Sequence, residues 1–444
     1  MEIRYVAELL RTLAEDHAVP GAQLAVDTGS QVLSVATGVL REGCPQPVET
    51  SSAFAFGSVT KAFTATLAVQ LASDGDIELD APVAELLPNW RVPQVSALAR
   101  VTLRHLLSHT SGLVSDHQLG DPMERSLAHY AASVAGLPLL FEPGSRFSYA
   151  NTGYNVVGRL VEEITGLPWD AALRDFLLVP LGITPHIPRT RADSARTSAS
   201  GHVVQPGGRA ATPVDLFLPA TWAPAGGLAG SAEDLLALAR LHTGAHPRAA
   251  RLLDAEHRAA MHRPQLDADA FGLADGWALG LGRYGADDGW LGHDGTVDGS
   301  TCHLRFHPET GMAVALTTNS TTGTLLWPEL VTRLRAQGLP VADYDSPLPS
   351  SRTAAPTVDA CRVLGDYANG DTLFSVRPHG SGVRLSDRTG LVANLSLHDQ
   401  MVFSARRVDS GHAPWFGRFL VDGDNGTALM QLTGRSATRV ATAA

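Results

Sequence analysis

With 444 residues, 44% of them hydrophobic and 18% charged, the chain is long enough for two domains, or one large domain with an appendage. Its net charge of -11 and the lack of a basic cluster argue against nucleic acid as a partner, and three scattered cysteines (Cys44, Cys302, Cys361) are too few for a disulfide framework or a thiolate metal site. No uncharged stretch approaches membrane-spanning length, and Glu2, Arg4, Glu8 and Arg11 make the N-terminus an amphipathic helix without a secretory core, so no membrane partner and a cytoplasmic location are expected.

In chain order, a first helix is predicted over 3–16 and ends at Pro20-Gly21. Strands follow around Gln23–Asp27 and Val32–Thr37, joined by the turn Thr28-Gly29-Ser30. Phe54–Gly57 leads into Ser58-Val59-Thr60-Lys61, and Lys61 is the only lysine of the chain. The apolar run after it, Ala62 to Ala72, reads as a helix buried nearly all round, ended by Asp74-Gly75-Asp76. Residues three apart share a helix face, so the Lys61 amine can reach the Ser58 hydroxyl. A serine is a weak nucleophile until a neighbouring base takes its proton. The helix N-terminus also favours an alkoxide and disfavours a protonated lysine. The plainer alternative is a capping serine with a lysine snorkelling to water.

Residues 82–188 read as mostly helical and are punctuated by prolines. Within them a short helix at Thr102–Leu107 runs into Ser108-His109-Thr110-Ser111-Gly112, where His109 reads as a hydrogen-bonder pinning a loop. Pro143 to Asn151 reads as a loop that aims Tyr149 and Asn151 before an amphipathic helix over 153–164. Residues 189–225, rich in Arg, Ser, Thr, Gly and Pro, read as an excursion over a cleft. The glycine-rich run Gly226-Gly227-Leu228-Ala229-Gly230 follows, and Ser231 caps a helix that runs to His242. Strands are predicted at Trp277–Arg283, Ser300–His307 and Met312–Thr318, with Gly292-His293-Asp294-Gly295-Thr296 between the first two. A helix near Glu329–Gln337 closes a domain spanning 1–337. Pro340, Pro347, Pro349 and Pro356 mark 338–358 as a linker. Over 359–444, six strand-like runs from Thr372–Arg377 to Thr427–Thr433 alternate with turns such as Asp422-Gly423-Asp424-Asn425-Gly426, which predicts a small antiparallel barrel.

Three pieces thus stand in order: Ser58-x-x-Lys61, Tyr149-x-Asn151 and His293-x-Gly295. With Leu106-Leu107-Ser108-His109-Thr110-Ser111-Gly112-Leu113 and Phe141-Glu142-Pro143-Gly144, they resemble the penicillin-recognising serine enzymes over about residues 5–335. That group contains class C β-lactamases, D-alanyl-D-alanine carboxypeptidases, related esterases and D-aminopeptidases. The resemblance implies an α+β fold: a β-lactamase/transpeptidase-like domain, with a mixed antiparallel sheet, helices packed on it and a helical subdomain, then a lipocalin-like barrel. It implies that Ser58 forms an acyl-enzyme, with Lys61 and Tyr149 sharing the proton work. Tyr149 would act as the base in the manner of the Tyr-x-Asn branch, its pKa pulled down by Lys61 and a protonated His293, with either Lys61 or Tyr149 taking the first proton. Asn151 would orient Lys61 and hold a substrate amide. The backbone N–H groups of Ser58 and Thr296 would form an oxyanion hole, with Gly295 allowing close approach and Gly227 and Gly295 joining the substrate-binding surface.

His293 stands where the lactamases carry lysine, which turns the expectation toward the esterase, amidase and acyl-transfer branches. Arg435 and Arg439 lie in the terminal segment. If it folds back over the cleft, one of them would bind a carbonyl or carboxylate, and Arg439 is the candidate taken; otherwise both are solvated. The layout is similar to that of penicillin-binding-protein-type thioesterases, which release nonribosomal peptides as macrolactams. The implied partner is therefore a peptidyl carrier protein or a small-molecule peptidyl thioester or ester. The alternative is an esterase or D-aminopeptidase with water as acceptor. No cofactor or metal is called for: His257/His262 and His303/His307 lack zinc-site spacing, and no Gly-x-Ser-x-Gly elbow occurs.

Overall fold

The computed structural model describes the chain except residues 89, 93–95, 122–123, 185, 188–196, 287, 346–359, 381, 409–413, 422–426 and 441–444. Its centre is a seven-stranded antiparallel sheet built from β1 (Gly21–Thr28), β2 (Val32–Gly38), β3 (Gly276–Trp277), β4 (Gly282–Tyr284), β5 (Trp290–Val297), β6 (Ser300–Phe306) and β7 (Met312–Thr318), in the order β2-β1-β7-β6-β5-β4-β3. Nearly every residue of β1, β6 and β7 is buried, so these strands are covered on both faces. On one face lie α1 (Ile3–Asp16) and, at the end of the domain, the helix Gly323–Ala336, packed on Leu24, Val26, Val314 and Leu316. The opposite face, with Ala25, Leu304 and Ala315, carries α2 (Thr60–Ser73), α3 (Asn151–Thr165) and the rest of the helical subdomain. Every residue of α2 from Thr60 to Ala72 is buried, as its unbroken apolar sequence requires.

Two sequence expectations change here. Trp277–Arg283 is two short strands separated by a turn, in which Ala278 N–H donates to Leu281 O over a left-handed Gly280. The stretch from Gly292 to Thr296, read as a connection, lies inside strand β5 and pairs with β6 from Leu291↔Phe306 to Val297↔Ser300. Its glycines hid the strand pattern.

The C-terminal part is a closed antiparallel barrel of eight strands: β8 (Gly365–Asn369), β9 (Thr372–His379), β10 (Gly382–Asp387), β11 (Val392–Leu397), β12 (Val402–Arg407), β13 (Trp415–Val421), β14 (Thr427–Leu432) and β15 (Arg435–Val440). The first and last were not foreseen, and they close the barrel by pairing Asp366, Tyr367 and Ala368 with Val440, Arg439 and Thr438. Of the stretch read as a linker, residues 346–358 lie outside the described residues. Its start is packed chain: Leu339, Val341 and Ala342 are buried in the catalytic-domain core, and Asp343 accepts hydrogen bonds from Trp327 and Arg305. The turn expected at 422–426 also lies outside the described residues. No described helix is long and apolar enough to cross a membrane.

The barrel is joined to the loop that carries Tyr149. Tyr149 N–H donates to Gly434 O (2.9 Å), Ser436 Oγ donates to Phe147 O (2.9 Å), and Ser436 N–H donates to Ser148 Oγ (3.1 Å). Asn369 adds a second tie, accepting from Ser115 N–H at 2.7 Å and donating to Ser115 Oγ and Ser436 O at 2.8 and 2.6 Å.

Candidate active site

Ser58 sits in a single 3-10 turn, Gly57–Val59, immediately before α2. Two glycines let this turn press on β5. Gly57 is left-handed (φ +51°), and a side chain there would meet the Thr296 backbone at 2.8 Å. At Gly295 a Cβ would lie 2.0 Å from Phe56 O and 3.1 Å from Ser58 N. Gly57 and Gly295 therefore serve the approach of the nucleophile turn to the strand that carries Thr296. On the other side, Phe56 N–H donates to Leu228 O and Leu228 N–H to Thr60 Oγ1. The glycine-rich run supports the turn rather than the substrate: Gly227 is buried, with its missing Cβ 2.8 Å from Ala223 Cα.

The Lys61 side chain is fully buried, with Nζ 3.0 Å from Ser58 Oγ and donating to Ala225 O at 2.6 Å. Asn151 does not orient it. The Asn151 Nδ2 instead donates to Asp116 Oδ1 (2.6 Å), and the carbonyl of Ala225 holds the amine. Burial drives the Lys61 pKa well below the ordinary lysine value, and the Arg435 charge adds to the fall. Burial therefore favours the neutral amine, the form whose lone pair can take the serine proton.

Tyr149 lies beside this pair, its ring centre 5.0 Å from Lys61 Nζ and 5.4 Å from Arg435 Cζ. Burial raises its pKa far above that of a free phenol; the Ser58 hydroxyl and the Arg435 charge oppose the rise without cancelling it. The expected lowering by cations is therefore overturned, because desolvation of the buried phenol outweighs the opposing Ser58 hydroxyl and Arg435 charge. His293 fails as a cation for the same reason. Burial first and the Lys61 charge second push its pKa down to about 3. The Nδ1 of His293 donates to Asp294 O at 2.6 Å, which leaves Nε2 as an acceptor.

His109, as expected, pins a loop. It has a left-handed backbone (φ 59°), its Nδ1 accepts from Ala150 N–H at 3.1 Å, and its ring lies 4.3 Å from that of Tyr149. Trp277 packs against Tyr149, His109 and His293. Tyr149 Oη, His293 Nε2 and His109 Nε2 are all buried with no formed hydrogen bond among the described residues. An unpaired buried polar atom costs about 1–3 kcal/mol, so several at one place mark a site built for a guest's polar atoms.

Beneath β5, on the side away from Ser58, Arg305 is fully buried and pairs with both oxygens of Asp294 (2.8 and 3.0 Å) and with Asp343 (2.6 Å), while Asp294 also takes His303 Nδ1 at 2.8 Å. This cluster fixes the strand that carries His293 and Thr296.

Of the two terminal arginines, the structure brings Arg435 to the site and leaves Arg439 away from it. Arg439 stands on the exposed side of the barrel seam, opposite Tyr367, with its guanidinium on Leu364 O. Arg435 opens β15 and lines a cavity of about 650 Å³ at the barrel mouth. Ser115, Asp116 and Thr296 form its catalytic wall, and Phe374, Leu391, Trp415 and Leu432 its apolar wall. The terminal segment, expected as solvated tail unless it folds back, is strand β15, held by pairing with β8 and β14. Asp116 and Ala225 O carried no sequence signal.

A buried amine beside a serine at a helix start, with a phenol and an imidazole around it, fits an enzyme of the acyl-transferring or hydrolytic serine class. Residues 6–337 match the Beta-lactamase family, and the chain belongs to it. It is 34% identical over 370 residues to "Penicillin-binding protein 4" of Amycolatopsis lactamdurans, covering 81% of this chain and 96% of that one. The crystal structure of SurE is similar over 99% of both chains, at 41% identity and a TM-score of 0.86; SurE with D-Leu gives 39% and 0.84. A class C beta-lactamase, 19% identical with a TM-score of 0.63 over 73% of this chain and 94% of its own, shares the fold.

Proposed function

We propose that the protein is a penicillin-binding-protein-type thioesterase that takes a peptidyl group from a thioester onto Ser58 and releases it as a macrolactam. The observation that carries this reading is the cavity shared by the nucleophile's neighbours and the barrel mouth. It is large enough for several residues of a folded acyl chain, apolar on one wall, and cationic at Arg435. Likeness to SurE through the barrel as well as the catalytic domain supports it, and the D-Leu complex supports a D-configured residue among the units accepted. The thioester's donor is a peptidyl carrier protein or a small thiol.

In this mechanism the neutral Lys61 takes the Ser58 proton as Oγ bonds to the thioester carbon. The oxyanion rests on the N–H groups of Ser58 and Thr296, each worth roughly 3 kcal/mol. Tyr149, a phenol at neutral pH, gives its proton to the departing thiolate and regains one from Lys61, with His293 Nε2 as a hydrogen-bond acceptor beside it. The C–S bond breaks and an ester to Ser58 remains. The peptide's own amine then attacks this ester, the C–N bond forms, C–Oγ breaks, and the amine proton returns to Oγ by the same groups. Arg435 holds a carbonyl of the acyl chain, and Asn151 an amide.

The test is incubation with a peptidyl thioester that has a free N-terminus and a D-residue at the thioester, read by mass spectrometry. Cyclic product from the wild type, and neither product nor acyl adduct from Ser58→Ala, is expected. Free acid alone, with simple esters turned over faster, would replace the reading by an esterase or D-aminopeptidase that uses water.

A further inference from the structure

A cyclising enzyme must choose an amine over water as the second nucleophile, and the groups described so far do not make that choice. Lys61, Tyr149 and the two backbone donors would serve either acceptor equally. What separates an α-amine from water is charge and donor number. An α-amine with a pKa near 7.7–8.0 in isolation arrives largely as a cation. One group of the cleft is suited to it.

Asp116 lies on the catalytic wall of the cavity, on the same wall as Thr296 and bonded to Asn151. Its Oδ1 takes the Asn151 amide, and its Oδ2 has no hydrogen-bond partner among the described residues. Its charge is felt at Lys61 and at Tyr149, so it stands within electrostatic reach of the reacting centre. The other acid of the cavity, Asp387, is occupied by Thr389 and by Leu391 N–H. Arg435 faces the same cavity, yet among the described residues it forms no ion pair with Asp116. Two opposite charges in one cleft, left unneutralised, fit a guest that carries a carbonyl at one point and an amine at another.

We infer that Asp116 recognises the acceptor amine: its free Oδ2 accepts an N–H of the incoming nitrogen and steers that nitrogen's lone pair to the Ser58 ester. This rests on the acyl-transfer reading above. The ammonium is drawn in by the carboxylate and loses one proton to solvent. The neutral nitrogen then bonds to the acyl carbon, C–Oγ breaks, and a second nitrogen proton passes through Tyr149 and Lys61 to Ser58 Oγ. Water gains nothing comparable from Asp116, so the carboxylate biases the acyl-enzyme toward aminolysis.

The experiment measures partition rather than speed. The full-length enzyme is acylated by an N-acetylated peptidyl thioester, which cannot cyclise, in the presence of either an amino-acid amide or methoxyamine, which is uncharged at neutral pH. Thiol release reports acylation, and the ratio of amide product to free acid reports acceptor choice. For Asp116→Asn the ratio with the amino-acid amide should fall about tenfold or more, the size expected when a hydrogen bond to a charged group becomes one to a neutral group. The ratio with methoxyamine should fall much less, and Asp116→Glu should restore part of the loss. An unmoved ratio with the amino-acid amide overturns the inference. So does an equal fall for both acceptors, because Asp116 would then act only by holding Asn151. No thiol release from the wild type overturns the acyl-transfer reading, and the inference with it; thiol release with an unmoved ratio overturns the inference alone.

Discussion

Gly295→Ala tests whether the oxyanion site is divided between the nucleophile turn and strand β5. An added Cβ would stand 2.0 Å from Phe56 O and 3.1 Å from Ser58 N, against an ordinary contact beginning at 3.4 Å. Both atoms are backbone, so no side chain can swing away, and the turn and the strand must part by about 1.4 Å. The two proposed donors, Ser58 N–H and Thr296 N–H, lie on opposite sides of that contact. A donor at about 2.9 Å from the oxyanion would move beyond about 4 Å, outside hydrogen-bond range. Loss of one such donor costs about 3 kcal/mol in the acylation transition state, or about 10²–10³ in rate. Overpacking should cost a further 1–3 kcal/mol, roughly, of folding stability, which a domain of ordinary stability survives. The assay is the pre-steady-state thiol burst from a peptidyl thioester, run beside urea unfolding to show that the variant is folded. A folded variant with a burst within about threefold of wild type would refute the divided site, since the expected loss from one donor is far larger.

Tyr149→Phe should keep the ring's contacts with His109 and Trp277 and leave folding intact, because Tyr149 Oη has no formed hydrogen bond to lose. Acylation should slow by about 10²–10⁴, the usual worth of a positioned proton donor, and near-normal turnover would leave Lys61 as the sole proton carrier. Stability should fall on acidification. His293 and His262 are held down to about 3 and about 4 by burial, while the unfolded chain protonates them near 6.5. Below about 6.5 the unfolded state therefore binds more protons. Each histidine removes up to about 1.4 kcal/mol per pH unit until its folded value is reached. Urea midpoints at pH 7 and pH 5 measure this, and equal midpoints would contradict it. Asn369→Ala removes the two bonds that tie the barrel to Ser115 and a third, within the barrel, to Ser436 O, leaving Ser115 N–H and Ser436 O without them. At about 1–3 kcal/mol for each group left unpaired, a loss of roughly 2–4 kcal/mol in urea unfolding and a lower cyclic-to-acid ratio are expected; no change in either would deny the tie.

The parts of the fold that were legible in sequence are those whose signal is local. The helix after Ser58 was read from an unbroken apolar run, and six barrel strands from alternation between turns. What escaped needed long-range pairing. Strand β5 holds Gly292 and Gly295, poor strand formers that are tolerated because the Leu304 backbone and the Phe56-Gly57-Ser58 turn come too close for a side chain. Strands β8 and β15 close the barrel by pairing across its seam, a long-range contact between residues 366–368 and 438–440 that no local pattern shows. At the site, residue identity revealed Ser58, Lys61, Tyr149 and His293 as a set, but the expected lowering of the Tyr149 pKa and the protonation of His293 have the wrong sign. Sequence shows which charges are near in principle, whereas burial sets the desolvation that decides Lys61, Tyr149 and His293 here.

On the proposed function, the barrel belongs to the chemistry rather than beside it. Tyr149 N–H donates to Gly434 O, Ser148 and Phe147 are bonded to Ser436, and Arg435 lies between those contacts with its guanidinium over the Tyr149 ring. One hairpin end thus sets the position of the phenol, lowers the amine's proton affinity by its charge, and walls the cavity. A catalytic domain of this family needs none of that to form an ester with serine. A domain that must also keep the ester from water while a peptide turns back on itself does need a roof, and the roof must be tied to the reacting groups so that closing it and aligning them are one event.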